Sequence, residues 1–157
     1  MDIRAAQAMD LVAIEELFEE LDALHRERLP ERFHASVEPA RSQDHLLEVI
    51  HGPDTAFLIA EDGGDVLGLV HLAVRSTPEL PMFVQRRFVA VENFVVARRA
   101  QRRGVGRALM TAADAWARNH GAIAMELTVY EANEEAFAFY RALGYRVLSH
   151  RLTLDIE

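Results

Sequence analysis

No cysteine occurs in the 157 residues, so the chain forms no disulfide, offers no thiolate to a metal and has no cysteine nucleophile. Positive charge is scarce: 17 Lys plus Arg stand against 25 Asp plus Glu, a formal net charge of -8. Nucleic acids select an excess of basic residues, so a polynucleotide partner is disfavoured. No uninterrupted apolar run reaches membrane-spanning length, and the opening MDIRAAQAMD lacks the basic-then-apolar pattern of a signal peptide. A cytoplasmic protein without a membrane partner is the expectation. The 7 histidines fall into no metal-ligand spacing, and no metal is expected. What remains, 50% hydrophobic and 27% charged residues with 8 Gly and 5 Pro, is the composition of a folded globular chain, expected as one domain over residues 1–157.

Against this acidic background, one stretch is crowded with arginine. Glu92 to Arg107, ENFVVARRAQRRGVGR, joins an apolar strand (Phe94, Val95, Val96) to a glycine-opened helix through a turn carrying Arg98, Arg99, Arg102, Arg103 and Arg107. The first N–H groups of a helix have no partner inside it and point at whatever anion occupies the turn. Arginine adds charge and fork geometry suited to phosphate oxygens. A compact polyphosphorylated ligand is expected here. The acidic remainder favours, weakly, a cationic second substrate such as an amine.

Elsewhere the pattern alternates between helix and strand. A short strand begins at Ile3; Leu11, Ile14, Leu17, Phe18, Leu21 and Leu24 recur at helical spacing after Asp10, and that helix should stop before Pro30. A loop over 25–41 and a short helix from Asp44 to Ile50 follow. Strands over 55–61 and 66–75 flank the turn Asp62-Gly63-Gly64-Asp65. A strand over 87–96, a helix over 104–119, a strand over 123–130, a helix over about 133–143 and a terminal strand over 146–156 complete the reading. Early hairpins and a later strand–helix–strand unit predict a mixed α/β sheet, mostly antiparallel, with one parallel pair.

Two other phosphate-binding readings fail on what is missing. Gly104-Val105-Gly106 lacks the third glycine of a dinucleotide fingerprint, and Ile123 and Ala124 stand where its acidic residue would be. The Gly-Lys-Ser or Gly-Lys-Thr ending of a nucleoside-triphosphate loop is also absent. Instead Gln101-Arg102-Arg103-Gly104-Val105-Gly106, directly after a strand, resembles the acyl-coenzyme-A signature of the GNAT superfamily, the GCN5-related N-acetyltransferases. Asn133 to Tyr145, NEEAFAFYRALGY, resembles that family's fourth helix, with the pair Phe139-Tyr140 and then Leu143-Gly144-Tyr145. The order of elements resembles the family over nearly the whole chain. The resemblance implies the GNAT acyl-CoA N-acyltransferase fold, with the parallel strands splayed at the cofactor, and acetyl-CoA as donor to an amine.

The resemblance also implies roles. Backbone N–H groups of Gln101, Arg102, Arg103, Gly104, Val105, Gly106 and Arg107 would cradle the pyrophosphate. The pantetheine arm would lie along Phe94, Val95 and Val96, with a strand bulge near Val95 or Val96 freeing an N–H for the thioester oxygen. Tyr140 would protonate the leaving thiolate; read without the resemblance it is a half-buried packing residue. Asn133 is read as a helix N-cap that also reaches the pantetheine arm. Glu92, in phase with Phe94 and Val96, is the candidate base for the amine, the other reading being a solvent-facing carboxylate; Glu126 is a second candidate. Relatives that modify protein amino termini carry glutamate where this chain has Thr128, which argues against that subgroup. His25 and His34 flank the loop expected to shape the acceptor site, together with residues 76–86. Glu27, Glu31 and Glu38 would attract a cationic amine, and Phe83-Val84 line either that site or a homodimer contact. Direct attack in a ternary complex, with a small-molecule or protein amine as acceptor, is the leading expectation. A noncatalytic acyl-CoA sensor or interaction domain, and use of a longer acyl group, stay open.

Overall fold

The computed structural model describes every residue from 1 to 157. Four strands run as an antiparallel meander, β1 (Asp2–Ala5), β2 (Thr55–Asp62), β3 (Asp65–Ser76) and β4 (Arg87–Val96). A fifth, β5 (Met125–Glu126), lies parallel to β4, and the sheet order is β1-β2-β3-β4-β5. The expected mixed sheet is the one that forms. Four helices accompany it: α1 (Leu11–Arg28), α2 (Gln43–His51), α3 (Val105–Asn119) and α4 (Glu134–Ala142).

Local chemistry accounts for most boundaries. α1 buries Ile14, Leu17, Phe18 and Leu21 and ends ahead of Pro30, which cannot donate the next helical hydrogen bond. Gly63 and Gly64 take φ of 59° and 90°, the pair of positive angles that a two-residue hairpin turn requires between β2 and β3. The Asp10 side chain does not cap α1. It accepts two 2.9 Å bonds from the Arg4 guanidinium and one of 2.7 Å from the Gln7 N–H. The hydrogen bond from Arg4 holds the Asp10 carboxyl below the usual carboxylate range.

Both faces of the sheet are covered, so β3 reads as a nearly continuous buried run rather than an alternation. On one face Phe57 of β2 stands opposite His71 of β3 and meets Phe18 of α1 edge-on at 5.9 Å. On the other, α3 presses so close that a Cβ on Gly68 would lie 2.9 Å from the Val95 carbonyl oxygen and 3.1 Å from Leu109. α3 presents Val105, Leu109, Met110, Ala113 and Ala117 to this face as a single buried stripe.

Three expectations are corrected. The strand over 123–130 is reduced to Met125–Glu126, because β5 pairs with β4 only through Val89↔Met125 and Ala90↔Glu126 before the two part. The bulge expected near Val95 or Val96 lies instead at Glu92: His71 pairs with Asn93 and Leu72 with Val91, leaving Glu92 as the extra residue. The terminal strand over 146–156 does not form within the chain, since a strand requires an edge to pair with and this segment reaches none. No helix is long and apolar enough to cross a membrane.

Candidate functional site

The arginine-rich turn is built by backbone conformation. Arg102 takes φ of 62° and Gly104 φ of 80°, so left-handed residues alternate with ordinary ones and turn successive N–H groups toward one concavity. Arg102 is the one non-glycine residue of the chain at positive φ; such strain is characteristic of ligand-clamping segments. Six consecutive N–H groups, those of Arg102 through Arg107, donate to no group of the protein. The turn is anchored from behind, where Glu20 of α1 accepts from the Arg98 N–H at 2.9 Å and Arg99 donates to the Val66 carbonyl at 3.0 Å. Arg103 lies 3.6 Å from Asp62, whereas Arg102 and Arg107 form no ion pair. The chain contains no lysine at all, so every side-chain cation here is a guanidinium.

Gly106, the second residue of α3, is where the turn meets an aromatic cluster. A Cβ there would lie 3.2 Å from Phe139 and 3.2 Å from Phe94. Those rings stack at 5.4 Å, and Tyr140 meets them edge-on at 5.3 and 6.0 Å. The Tyr140 side chain is buried, and burial pushes its hydroxyl well above the ordinary phenol range. That hydroxyl makes no hydrogen bond within the chain, yet it is not sealed among the buried unpaired polar atoms. It is therefore a protonated donor facing accessible space. Tyr145, pushed up to about 12 by burial, instead donates to the Met125 sulfur at 3.8 Å.

Pairing of β4 with β5 ends at Ala90 and Glu126, so Phe94, Val95 and Val96 have no partner on β5. Asn133 precedes α4. Its side-chain oxygen accepts from the Ala136 N–H at 3.2 Å, capping α4, and from Arg28 at 2.6 Å, tying the end of α1 to the start of α4. Its amide N–H groups remain free.

Glu92 occupies the bulge and pairs with Arg75 at 2.6 Å; the extra residue breaks the plain alternation with Phe94 and Val96. Glu126 pairs with Arg86 at 3.3 Å. Close to Glu92 the structure brings together two residues that sequence reasoning passed over. The Asn93 amide donates to His71 Nδ1 at 3.0 Å, leaving Nε2 to carry the imidazole proton. A polar residue inside the apolar run Leu67–Ala73 was the available signal, because a buried polar group requires a partner. Burial lowers the His71 pKa to about 4. A histidine depressed in the folded state resists protonation there but not when unfolded. Its contribution is complete above the unfolded value near 6.5 and is lost as pH falls toward 4. His71→Gln is expected to remove about 2 to 3 kcal/mol of the stability lost between those limits, read from urea unfolding at a series of pH values.

On the α1 side, His25 stacks on Phe33 at 5.0 Å, and both meet Tyr130 edge-on at 6.3 and 5.8 Å. Phe33 also lines a cavity of about 520 Å³ with Phe18, Asp22, His34, Glu38 and Arg41. Of the three glutamates expected to draw a cation, Glu38 lines this cavity, as do Glu15 and Glu19; Glu27 and Glu31 do not. Phe83 and Val84 are exposed.

A turn of free N–H groups, a parallel strand pair that parts after two residues and a phenol packed on Phe94 of β4 define the acyl-CoA-binding class of fold. Residues 14–145 match the model of the acetyltransferase (GNAT) family, and the chain belongs to that family. It is an acetyltransferase for which acetyl-CoA is the donor. The uncharacterized N-acetyltransferase YhfO of Bacillus subtilis (strain 168) is 26% identical over 145 residues, covering 92% of this chain and 89% of that protein. A mutant form of the BH1408 protein from Bacillus halodurans superposes over the full length of both chains with a TM-score of 0.94 at 25% identity. The aminoglycoside N-acetyltransferase AAC(6')-Iy, solved in complex with CoA, gives a TM-score of 0.73 at 18% identity, covering 99% of each chain.

Proposed function

We propose that residues 1–157 act as a single domain transferring the acetyl group of acetyl-CoA to a primary amine by direct attack in a ternary complex. The observation that carries this reading is the run of six unpartnered N–H groups from Arg102 to Arg107 abutting, through Gly106, the Phe94–Phe139–Tyr140 cluster. The N–H groups, with the Arg102 and Arg107 side chains, suit the pyrophosphate, since helix-opening N–H groups and guanidinium forks both select such oxygens. From there the pantetheine arm runs along Phe94 to Val96, within reach of the free Asn133 amide.

In the reaction the amine nitrogen attacks the thioester carbon. The C–N bond forms, the C–S bond breaks, one proton leaves the nitrogen and one reaches the departing sulfur. Tyr140 supplies the proton to sulfur, because its raised pKa keeps it protonated throughout the working range. Glu92 receives the amine proton, directly or through water, from its place beside Arg75 in the bulge of β4. With no cysteine in the chain, a thiol-bound acyl intermediate is ruled out. The acceptor enters from the α1–α2 side, where Glu15, Glu19, Asp22 and Glu38 outnumber Arg26 and Arg41 around the cavity and favour a cationic amine. Three structural neighbours are aminoglycoside acetyltransferases; the acidic cavity is compatible with a polyamine-like acceptor of that kind or with a smaller amine.

The test is incubation with acetyl-CoA and an amine panel, following free thiol and product masses. Because the chain contains no lysine, its one amine is the Met1 amino group, which lies 3.8 Å from Asp62. The intact protein is therefore expected to gain at most one acetyl mass, and thiol released beyond that stoichiometry belongs to the added acceptor. Tight acetyl-CoA binding with no transfer to any small or protein amine would establish the sensor reading instead.

A further inference from the structure

The loop between α1 and α2 is tied to the body of the protein by one polar side chain. No backbone group of residues 34–41 hydrogen-bonds to another element, and the bonds made by His34 and Glu38 stay inside the loop. Arg41 alone reaches out. Its guanidinium donates to both oxygens of Asp22 on α1, at 2.9 and 3.3 Å, and lies 3.9 Å from the centroid of the Phe18 ring. A carboxylate beside an aromatic face is a pair of groups that selects a cation, the ring through its negative face and the carboxylate through charged hydrogen bonds. Here the chain fills that seat itself, and Phe18 is only 4% exposed with Arg41 in place. The seat borders the cavity of about 520 Å³, where Glu15 bonds to the neutral Gln43 amide and not to a cation. Phe18 in turn meets Phe57 at 5.9 Å, and Phe57 lies 4.8 Å from the His71 ring, which bonds Asn93 beside the Glu92 bulge. From Phe57 on β2 to the bulge on β4 is two strand spacings, about 10 Å, a span that a small extended molecule can bridge.

We propose that Arg41 is an internal competitor of the acceptor: it holds the Phe18–Asp22 seat until an acceptor bearing a second cationic group, beyond the reacting amine, displaces it. The inference rests on the acetyl-transfer reading, in which the amine loses its proton at Glu92, and it names the class of acceptor as a dication, reacting at one end and held at the other. A monoamine gains nothing from the seat, because its one nitrogen is at the reacting end. A dication gains the ring face and the Asp22 carboxylate, but must first break the contacts of Arg41. Because the guanidinium is tethered to the same chain, it competes at an effective concentration of about millimolar. Selectivity is then the difference between two cations for one seat, and Arg41 sets how strong the incoming one has to be. Without Arg41 the Asp22 side chain, 22% exposed, is left with no partner, and a partly buried unpaired carboxylate draws the next cation within reach.

The test compares diaminooctane with octylamine, which differ by one terminal cation, using calorimetric binding to the full chain beside thiol release from acetyl-CoA. Arg41→Gln is expected to bind diaminooctane about tenfold tighter than the wild type does, with KM falling in proportion, while octylamine changes by less than about twofold. Arg41→Lys keeps a cation at the seat and should stay within about threefold of the wild type for both amines, which separates competition from loss of the loop's tie. Adding Asp22→Asn to Arg41→Gln should erase the gain. Diaminooctane binding Arg41→Gln no tighter than the wild type, both amines tightening alike, or a gain that survives Asp22→Asn would each overturn the proposal. Absence of thiol release with either amine would instead defeat the acetyl-transfer reading, and the calorimetric comparison would still decide whether Arg41 competes for the seat.

Discussion

Tyr140→Phe is expected to lower kcat by about a hundredfold or more while leaving acetyl-CoA affinity unchanged, measured by steady-state kinetics beside direct cofactor binding. The substitution keeps the ring and hence its contacts with Phe94, Phe139 and Tyr145 at 6.0, 5.3 and 5.6 Å. The hydroxyl has no hydrogen bond within the chain, so its removal orphans no partner and the melting temperature should hold. What disappears is the proton donor for the departing sulfur, a loss felt in the transition state and not in the ground state. Burial has raised this phenol far enough that the wild-type kcat profile should show no alkaline limb belonging to Tyr140. Loss of cofactor binding with unchanged kcat would reassign Tyr140 to packing.

Much of this architecture was legible because its signals are local. The i, i+3, i+4 pattern of α1, the Asp62-Gly63-Gly64-Asp65 turn and the glycine opening of α3 each depend on a few neighbouring residues, and the structure places these elements close to the reading, except that α1 runs on to Arg28, four residues into the expected 25–41 loop. The departures all depend on a partner far away in sequence. The bulge at Glu92 exists only in the register between β3 and β4, and strand alternation by itself gives no hint of an inserted residue. The residues around Val129 have the composition of a strand, but β4 diverges and leaves them without a ladder. Segment 146–156 has the right alternation and no edge within its own chain. His71 and Asn93 lie 22 positions apart and become a hydrogen-bonded pair only through pairing of two strands. Asn133 was legible as a cap from its position, while its bond to Arg28, 105 residues away, was not.

Gly106→Val tests the seam between phosphate turn and aromatic cluster. Gly106 has ordinary helical backbone, so the penalty comes from space and not from conformation. The added Cβ meets Phe94 and Phe139 at 3.2 Å, tighter than normal contact, and the branched methyls of valine cannot all avoid the two stacked rings. Overpacking of this kind costs about 1 to 3 kcal/mol, visible in urea unfolding. Either α3 shifts outward, displacing the N–H groups of Arg102 to Arg107, or Phe94 and Phe139 separate and move the wall that holds Tyr140. The first route predicts acetyl-CoA affinity falling by about tenfold or more, near 1.4 kcal/mol, with the second adding a loss in kcat. Combining Gly106→Val with Phe139→Ala separates them, because these neighbours should couple. If the helix shift follows from the clash with Phe139, the double variant regains cofactor affinity over Gly106→Val alone. If the double variant binds no better, Phe139 is not the ring that sets the approach of α3, and the close seat of Gly106 belongs to Phe94 on β4.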